Sequence, residues 1–122
     1  MPTLPEGWIY EGWAVIEGTP VSTGVFRTTT GADSKSTYSG DVAGPPFPGE
    51  DFLRNAPGDL SFPADLRGKT VVISVEPVPD NSTAPFALKP LVGPVADDAP
   101  EHTPLTMDNN AAATNQTGTI QK

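Results

Sequence analysis

The chain contains no cysteine and a single histidine, His102. Without cysteine there is no disulfide, no thiol nucleophile and no cysteine-based zinc site. One histidine excludes a histidine-pair metal site. A serine triad built on it would still require a nucleophile elbow, and no Gly-x-Ser-x-Gly occurs. Basic residues are scarce too: 7 Lys and Arg stand against 15 Asp and Glu, a formal charge of −8. Nucleic-acid binding displaces counterions with a basic patch, and scattered cations do not supply one. Long apolar runs are missing. An aliphatic run such as Val71-Val72-Ile73 falls far short of the roughly 18 residues that a bilayer-spanning helix needs. No apolar pattern of helical period persists over a window of about 11 residues.

What is abundant is proline and glycine, 15 and 12 of 122 residues, close to twice their usual combined share of about 12%. The length suits one domain with a single core. Between the Pro/Gly punctuation lie segments of strand composition. Trp8 to Ile16 is aromatic and β-branched, and both of its alternating faces are mainly apolar. This predicts a central strand covered on both sides. Glu17-Gly18 offers a tight turn into a second strand, Thr19 to Phe26, forming a hairpin. Gly12 within the first strand marks a bulge or a close approach of another backbone. Asp65 to Lys69 reads as a turn feeding Thr70 to Glu76, the strongest strand by composition. Pro77-Val78-Pro79 stops it, and Ala84 to Val92 reads as a further strand with Phe86, Leu88 and Leu91 inward.

The remainder is irregular. Residues 31–63 form a Thr/Ser/Gly- and then Pro-rich insertion, because three prolines within 45–48 cannot serve a central strand. A short helical turn is expected at Gly49 to Asn55, with Asp51 near its N-terminus suiting the dipole. Residues 96–122 form a polar C-terminal tail in which Thr117 to Ile120 could add a terminal strand. The fold class expected is therefore all-β: a β-sandwich domain over residues 1–95 with this insertion, followed by the tail.

Few residue clusters suggest chemistry. Asp97, Asp98, Glu101 and His102 place four potential ligands within six positions, and a hard cation such as calcium could use the carboxylates. The spacing lacks the EF-hand pattern, and a solvated loop is the simpler account. His102 with Met107 is a weaker copper pair. Glu50-Asp51 is an adjacent carboxylate pair, which on a loop diverges rather than facing across a cleft. Trp8, Tyr10 and Trp13 could stack a carbohydrate, but Trp13 falls on the face opposite the other two, which favours core packing. The sequons at Asn81 and Asn115 matter only in a glycosylating host. No catalytic or cofactor-binding residues are assigned.

The hairpin Tyr10-Glu11-Gly12-Trp13-Ala14-Val15-Ile16-Glu17-Gly18-Thr19-Pro20-Val21-Ser22-Thr23-Gly24-Val25-Phe26 resembles the Tyr-x-x-Trp … Pro-Val-Ser-x-Gly-x-Phe signature of the extracytoplasmic domain of anti-sigma-K factors. Val72-Ile73-Ser74-Val75-Glu76-Pro77 is similar to that family's closing Val-x-Val-Glu-Pro strand. The resemblance implies an immunoglobulin-like antiparallel β-sandwich outside the cytoplasm, serving as a sensor or interaction module. It also implies structural roles for Tyr10, Trp13, Gly24, Phe26, Glu76 and Pro77: Trp13 and Phe26 in the core, Gly24 and Pro77 directing the chain. The family's sigma-binding helical domain and membrane span have no counterpart here.

Met1 is followed by Pro2-Thr3-Leu4-Pro5, without the charged and apolar regions of a secretory signal. An acidic composition rich in Thr, Ser, Asn, Pro and Gly still favours an exported protein, secreted, on the cell surface or periplasmic. The expectation is a non-enzymatic module that needs no cofactor and contacts a protein partner, with neither nucleic-acid binding nor membrane spanning. The alternative is a structural subunit of an extracellular filament or surface layer that assembles with itself by exchanging edge or tail strands.

Overall fold

The computed structural model describes residues 1–31, 34, 65–79, 82, 84–100, 105–114 and 118–121. Among these lie strands β1 (Trp8–Ile16), β2 (Thr19–Phe26), β3 (Thr70–Pro77), β4 (Leu91–Pro94) and β5 (Asp108–Asn109), followed by a single helical turn, α1 (Ala111–Thr114). The described strands build one antiparallel sheet in the order β2-β1-β3-β4-β5. Among the described residues the regular structure is mostly β, with almost no helix.

The hairpin forms as the sequence predicts. Glu17 and Gly18 both adopt positive φ, 52° and 77°, the combination that a two-residue turn needs to match strand twist. β1 then pairs with β2 on one side and β3 on the other, with Tyr10 opposite Phe26 and Val75, and Ala14 opposite Val21 and Val71. Gly12 carries the predicted irregularity. The β1–β2 register shifts between Gly12 and Trp13, leaving Thr23 as the extra residue on β2. A Cβ at Gly12 would collide with the Thr23 hydroxyl oxygen, so glycine is what lets the bulged strand close up.

β1 is buried on both faces, but the two faces differ in chemistry. Tyr10, Phe26 and Val75 form an apolar cluster with Leu4, Trp8, Ile73 and Leu88 packed against it. The Tyr10 and Phe26 rings stack with centroids 5.7 Å apart, an offset range in which aromatic pairs attract. The opposite face carries Glu11 and Trp13 on β1 and Val72, Ser74 and Glu76 on β3, paired as Glu11–Ser74 and Trp13–Val72. Glu11, Trp13, Ser74 and Glu76 are all at most 1% exposed.

Three expectations change. Ala84 to Val92 is not a strand; pairing with β3 begins only at Leu91 and runs to Pro94. Pro85 and Pro90 remove two ladder donors, and residues 84–90 follow β3 through isolated bonds such as Val75 N–H to the Leu88 carbonyl, 2.9 Å. Without strand alternation Phe86 is not inward: it is 42% exposed. The segment after residue 96 contributes β5 to the sheet, earlier in the chain than Thr117 to Ile120. Asp108 and Asn109 pair with Val92 and Leu91, and the Asn109 side-chain oxygen accepts the Ala111 N–H at the start of α1, as an Asx turn does. Residues 118–120 are not in a strand. Thr117, the helical turn at 49–55 and nearly all of the 31–63 insertion lie outside the described residues.

Candidate functional site

The end of the sheet where β3 finishes combines buried polar groups with exposed apolar ones. Trp13 reaches diagonally across β3, as a long side chain can, and its indole N–H donates to Ser74 Oγ at 2.8 Å. The Ser74 hydroxyl in turn donates to Glu76 Oε1. That oxygen also accepts the backbone N–H of Phe86 at 2.7 Å. A hydroxyl can accept and donate at once while a carboxylate only accepts, so the chain of bonds runs one way and closes on Glu76.

The same device recurs on β2. Gly24 N–H donates to Ser22 Oγ at 3.3 Å, and the Ser22 hydroxyl donates to Glu11 Oε1. Gly24 has φ 123° at the bulge, where a side chain would be strained. Ser22 therefore holds the bulge to β1, while Ser74 and Glu76 hold the segment after β3 to the sheet.

These anchors place a small apolar surface. The Phe86 ring lies 6.0 Å from that of Trp8, tilted by 53°. Val78 is 48% exposed, and its N–H donates to the Gly7 carbonyl at 2.8 Å. Arg27 donates to the Trp8 carbonyl at 2.9 Å, which puts a cation beside the patch. A cavity of about 150 Å³ opens nearby between Met1, Tyr10, Phe26, Arg27 and the Thr28–Thr30 loop. The Tyr10 hydroxyl donates to the Pro2 carbonyl at 2.6 Å, and burial raises its pKa above the usual value of 10.0.

At the opposite end of β3, Arg67 grips Asp65 through Nε and Nη2. These bonds, with one from the Arg67 backbone N–H, hold the Asp65 carboxyl down at about 2. This is a solvent-exposed pair at the turn that leads into β3.

The residues singled out by their sequence pattern are distributed as follows. Tyr10, Trp13 and Phe26 are buried; Gly24 sits at the bulge, Glu76 anchors Phe86, and Pro77 is the last residue of β3. Trp8 and Tyr10 lie on the sheet face opposite Trp13, and only Trp8 reaches the surface. Of the proposed metal cluster, Asp97 and Asp98 are exposed, while Glu101 and His102 lie outside the described residues, as do Glu50, Asp51, Asn81 and Asn115. Among the described residues no group of three or more His, Asp or Glu side chains converges. No described helix is long and apolar enough to cross a membrane.

Residue pattern alone missed Glu11, Ser22 and Ser74 as a buried polar set, and Val78 and Phe86 as exposed. The parity of Glu11 with Trp13, and of Ser74 with Glu76, was a signal. It gains meaning only when the strand register brings both pairs to one face. Comparison of the chain with protein-family models, with curated proteins and with solved structures gives no match.

Proposed function

We propose that the chain is a non-enzymatic interaction module of the cell exterior, related to the outer domain of anti-sigma-K factors, and that it binds a protein partner. The observation that carries this reading is the Trp8–Val78–Phe86 surface, held in place by Glu76. The carboxylates and serines of the polar face are buried and bonded within the molecule, so what it offers to solvent here is apolar area with the Arg27 cation beside it. Burial of both faces of β1 supports a second layer over the polar face, as an immunoglobulin-like sandwich would have. Its charge of −8 disfavours anionic partners such as DNA or acidic membranes.

The test is capture from the envelope fraction of the source cells by the immobilised chain, compared with Phe86→Asp and Val78→Asp. One stoichiometric partner, lost with either substitution while the melting temperature holds, is the expected result. A partner retained by both variants would remove this surface from the reading.

A second reading, a self-assembling structural subunit, is favoured by a separate observation. Residues 118–121 are exposed and join no strand of their own sheet. They are therefore available to another molecule.

A further inference from the structure

We propose that the surface at Trp8, Val78 and Phe86 binds a peptide segment in which a carboxylate side chain stands next to an apolar one, and that Arg27 holds the carboxylate. The inference rests on the interaction-module reading and names the chemistry of its partner.

Arg27 follows directly after the buried Phe26 and is itself exposed. The β1–β2 register begins at the Tyr10–Phe26 pair. Just beyond it, Arg27 Nη1 donates to the Trp8 carbonyl at 2.9 Å, so the guanidinium is tied to the first residue of β1. A guanidinium carries five donors in a rigid fork. The same molecule shows what that fork does with an acid at hand: Arg67 turns Nε and Nη2 to the Asp65 carboxylate. Arg27 has Nη1 on a carbonyl, and among the described residues no carboxylate is bonded to it. The chain holds 15 acidic residues against 7 basic ones, yet this fork is left to an acid from another molecule.

The surroundings set what accompanies the carboxylate. The Trp8 ring, tilted against Phe86 with centroids 6.0 Å apart, joins Arg27 to the apolar patch. Val78 and Phe86 are exposed, and both are held by their backbones: Val78 N–H by the Gly7 carbonyl, Phe86 N–H by Glu76 Oε1. A surface fixed before binding loses little freedom when it is covered. Arg27 also borders the cavity of about 150 Å³, together with the hydroxyl-bearing Thr29 and Thr30, so a carboxylate has room beside the guanidinium.

The number of cations limits the class of partner. Among the described residues that form the patch and line the cavity, Arg27 is the one basic side chain. Nucleic acids are held by several cations at once, and phosphorylated side chains by arginine clusters. A molecule of charge −8 repels polyanions as a whole. A lone carboxylate between apolar groups asks for one fork, and the apolar cover around it limits screening of the pair by salt.

The experiment is selection of a random heptapeptide library displayed on phage against the immobilised parent chain, Arg27→Gln and Phe86→Asp, with Val78→Asp as the second patch variant. Glutamine removes the charge at an exposed position and keeps an N–H donor. On the parent, peptides with Asp or Glu next to an aliphatic or aromatic residue should be enriched. Arg27→Gln should lose the acidic preference and keep the apolar one; both patch variants should lose both. The recovered peptide, synthesised with its acid replaced by the amide, should bind the parent about five-fold more weakly, and Arg27→Gln should not distinguish the two forms. Enrichment of apolar peptides without an acid overturns the carboxylate and leaves the patch standing as a binding surface. An acidic preference that survives Arg27→Gln overturns the role of Arg27. No enrichment above the bare support, or enrichment that both patch variants leave intact, overturns this inference and the interaction reading together. Retention of the parent on immobilised heparin, lost with Arg27→Gln, would assign the cation to a polyanion and overturn the peptide as occupant.

Discussion

The two faces of the sheet around β1 are equally buried and are held by different means. On one, Tyr10, Phe26, Val75 and their neighbours exclude water by packing. On the other, two glutamates, two serines and an indole N–H are buried in bonds that run from donor through hydroxyl to carboxylate. Apolar packing is non-directional and degrades gradually when volume changes. A buried polar chain is directional: deleting one member strands the others, at about 1–3 kcal/mol per unsatisfied group. The apolar face thus supplies bulk stability, while the polar face specifies register and fixes where the segment after β3 must lie.

Substitutions can break or sharpen that contrast. The largest effect is expected for Trp13→Ala, which removes a fully buried ring and the donor to Ser74. A loss of about 3–5 kcal/mol in chemical denaturation is expected, and a loss under 1 would show that the ring is not a core element.

Next is Glu76→Leu, which keeps bulk while stranding the Ser74 hydroxyl and the Phe86 N–H. About 2–4 kcal/mol should be lost, with hydrogen-exchange protection falling at Phe86 before the strands. Glu76→Gln retains an acceptor oxygen and should recover most of that loss. If the leucine variant is as stable as the glutamine one, the polar chain does not hold this segment.

Gly12→Ala tests the bulge between the two faces. Forcing a methyl group against Thr23 should cost about 1–3 kcal/mol. Thr23→Ala in the same chain should restore most of it, because only the hydroxyl oxygen stands in the way. Additive effects in that double-mutant cycle would place the strain elsewhere.

Tyr10→Phe removes the polar handle of the apolar face. Pro2 is an exposed residue and the bond is only part-buried, so water can replace it and the cost should stay near about 1 kcal/mol. The pH dependence is the sharper readout. The folded state favours the neutral phenol and raises its pKa. That contribution is complete below pH 10.0 and is lost as pH climbs through the raised folded value. Tyr10→Phe should flatten this alkaline decline in denaturation midpoints.

The smallest effect is expected at Asp65, which touches neither face. Its carboxyl should titrate at about 2 by NMR, and Arg67→Gln should return it toward 3.8. Since its folded pKa is lowered, any stabilisation is present above 3.8 and fades as pH falls through about 2. Exposure and salt leave the melting temperature at neutral pH essentially unchanged.

Much of the β1–β2 hairpin was legible from residue pattern. Trp8 to Phe26 announces two strands by composition, Glu17-Gly18 the turn and Gly12 the bulge, because these are local demands of backbone sterics and side-chain period. Thr70 to Pro77 was equally plain. Ala84 to Val92 was misjudged because apolar alternation does not show which N–H groups a ladder needs, and Pro85 and Pro90 lack them. The apolar surface at Trp8, Val78 and Phe86 was illegible for the same reason: irregular backbone has no parity to extrapolate.

What the chain determined by itself is an acidic, cysteine-free, β-rich molecule with one strong hairpin and one strong return strand. Only the tertiary structure decided which neighbour each strand takes, and hence that Glu11, Trp13, Ser22, Ser74 and Glu76, drawn from three strands, bury together on one face. Period and turn chemistry act within a few residues, whereas Trp13 and Ser74 stand 61 positions apart. Bringing them within 2.8 Å depends on a register set by the packing of the whole sheet.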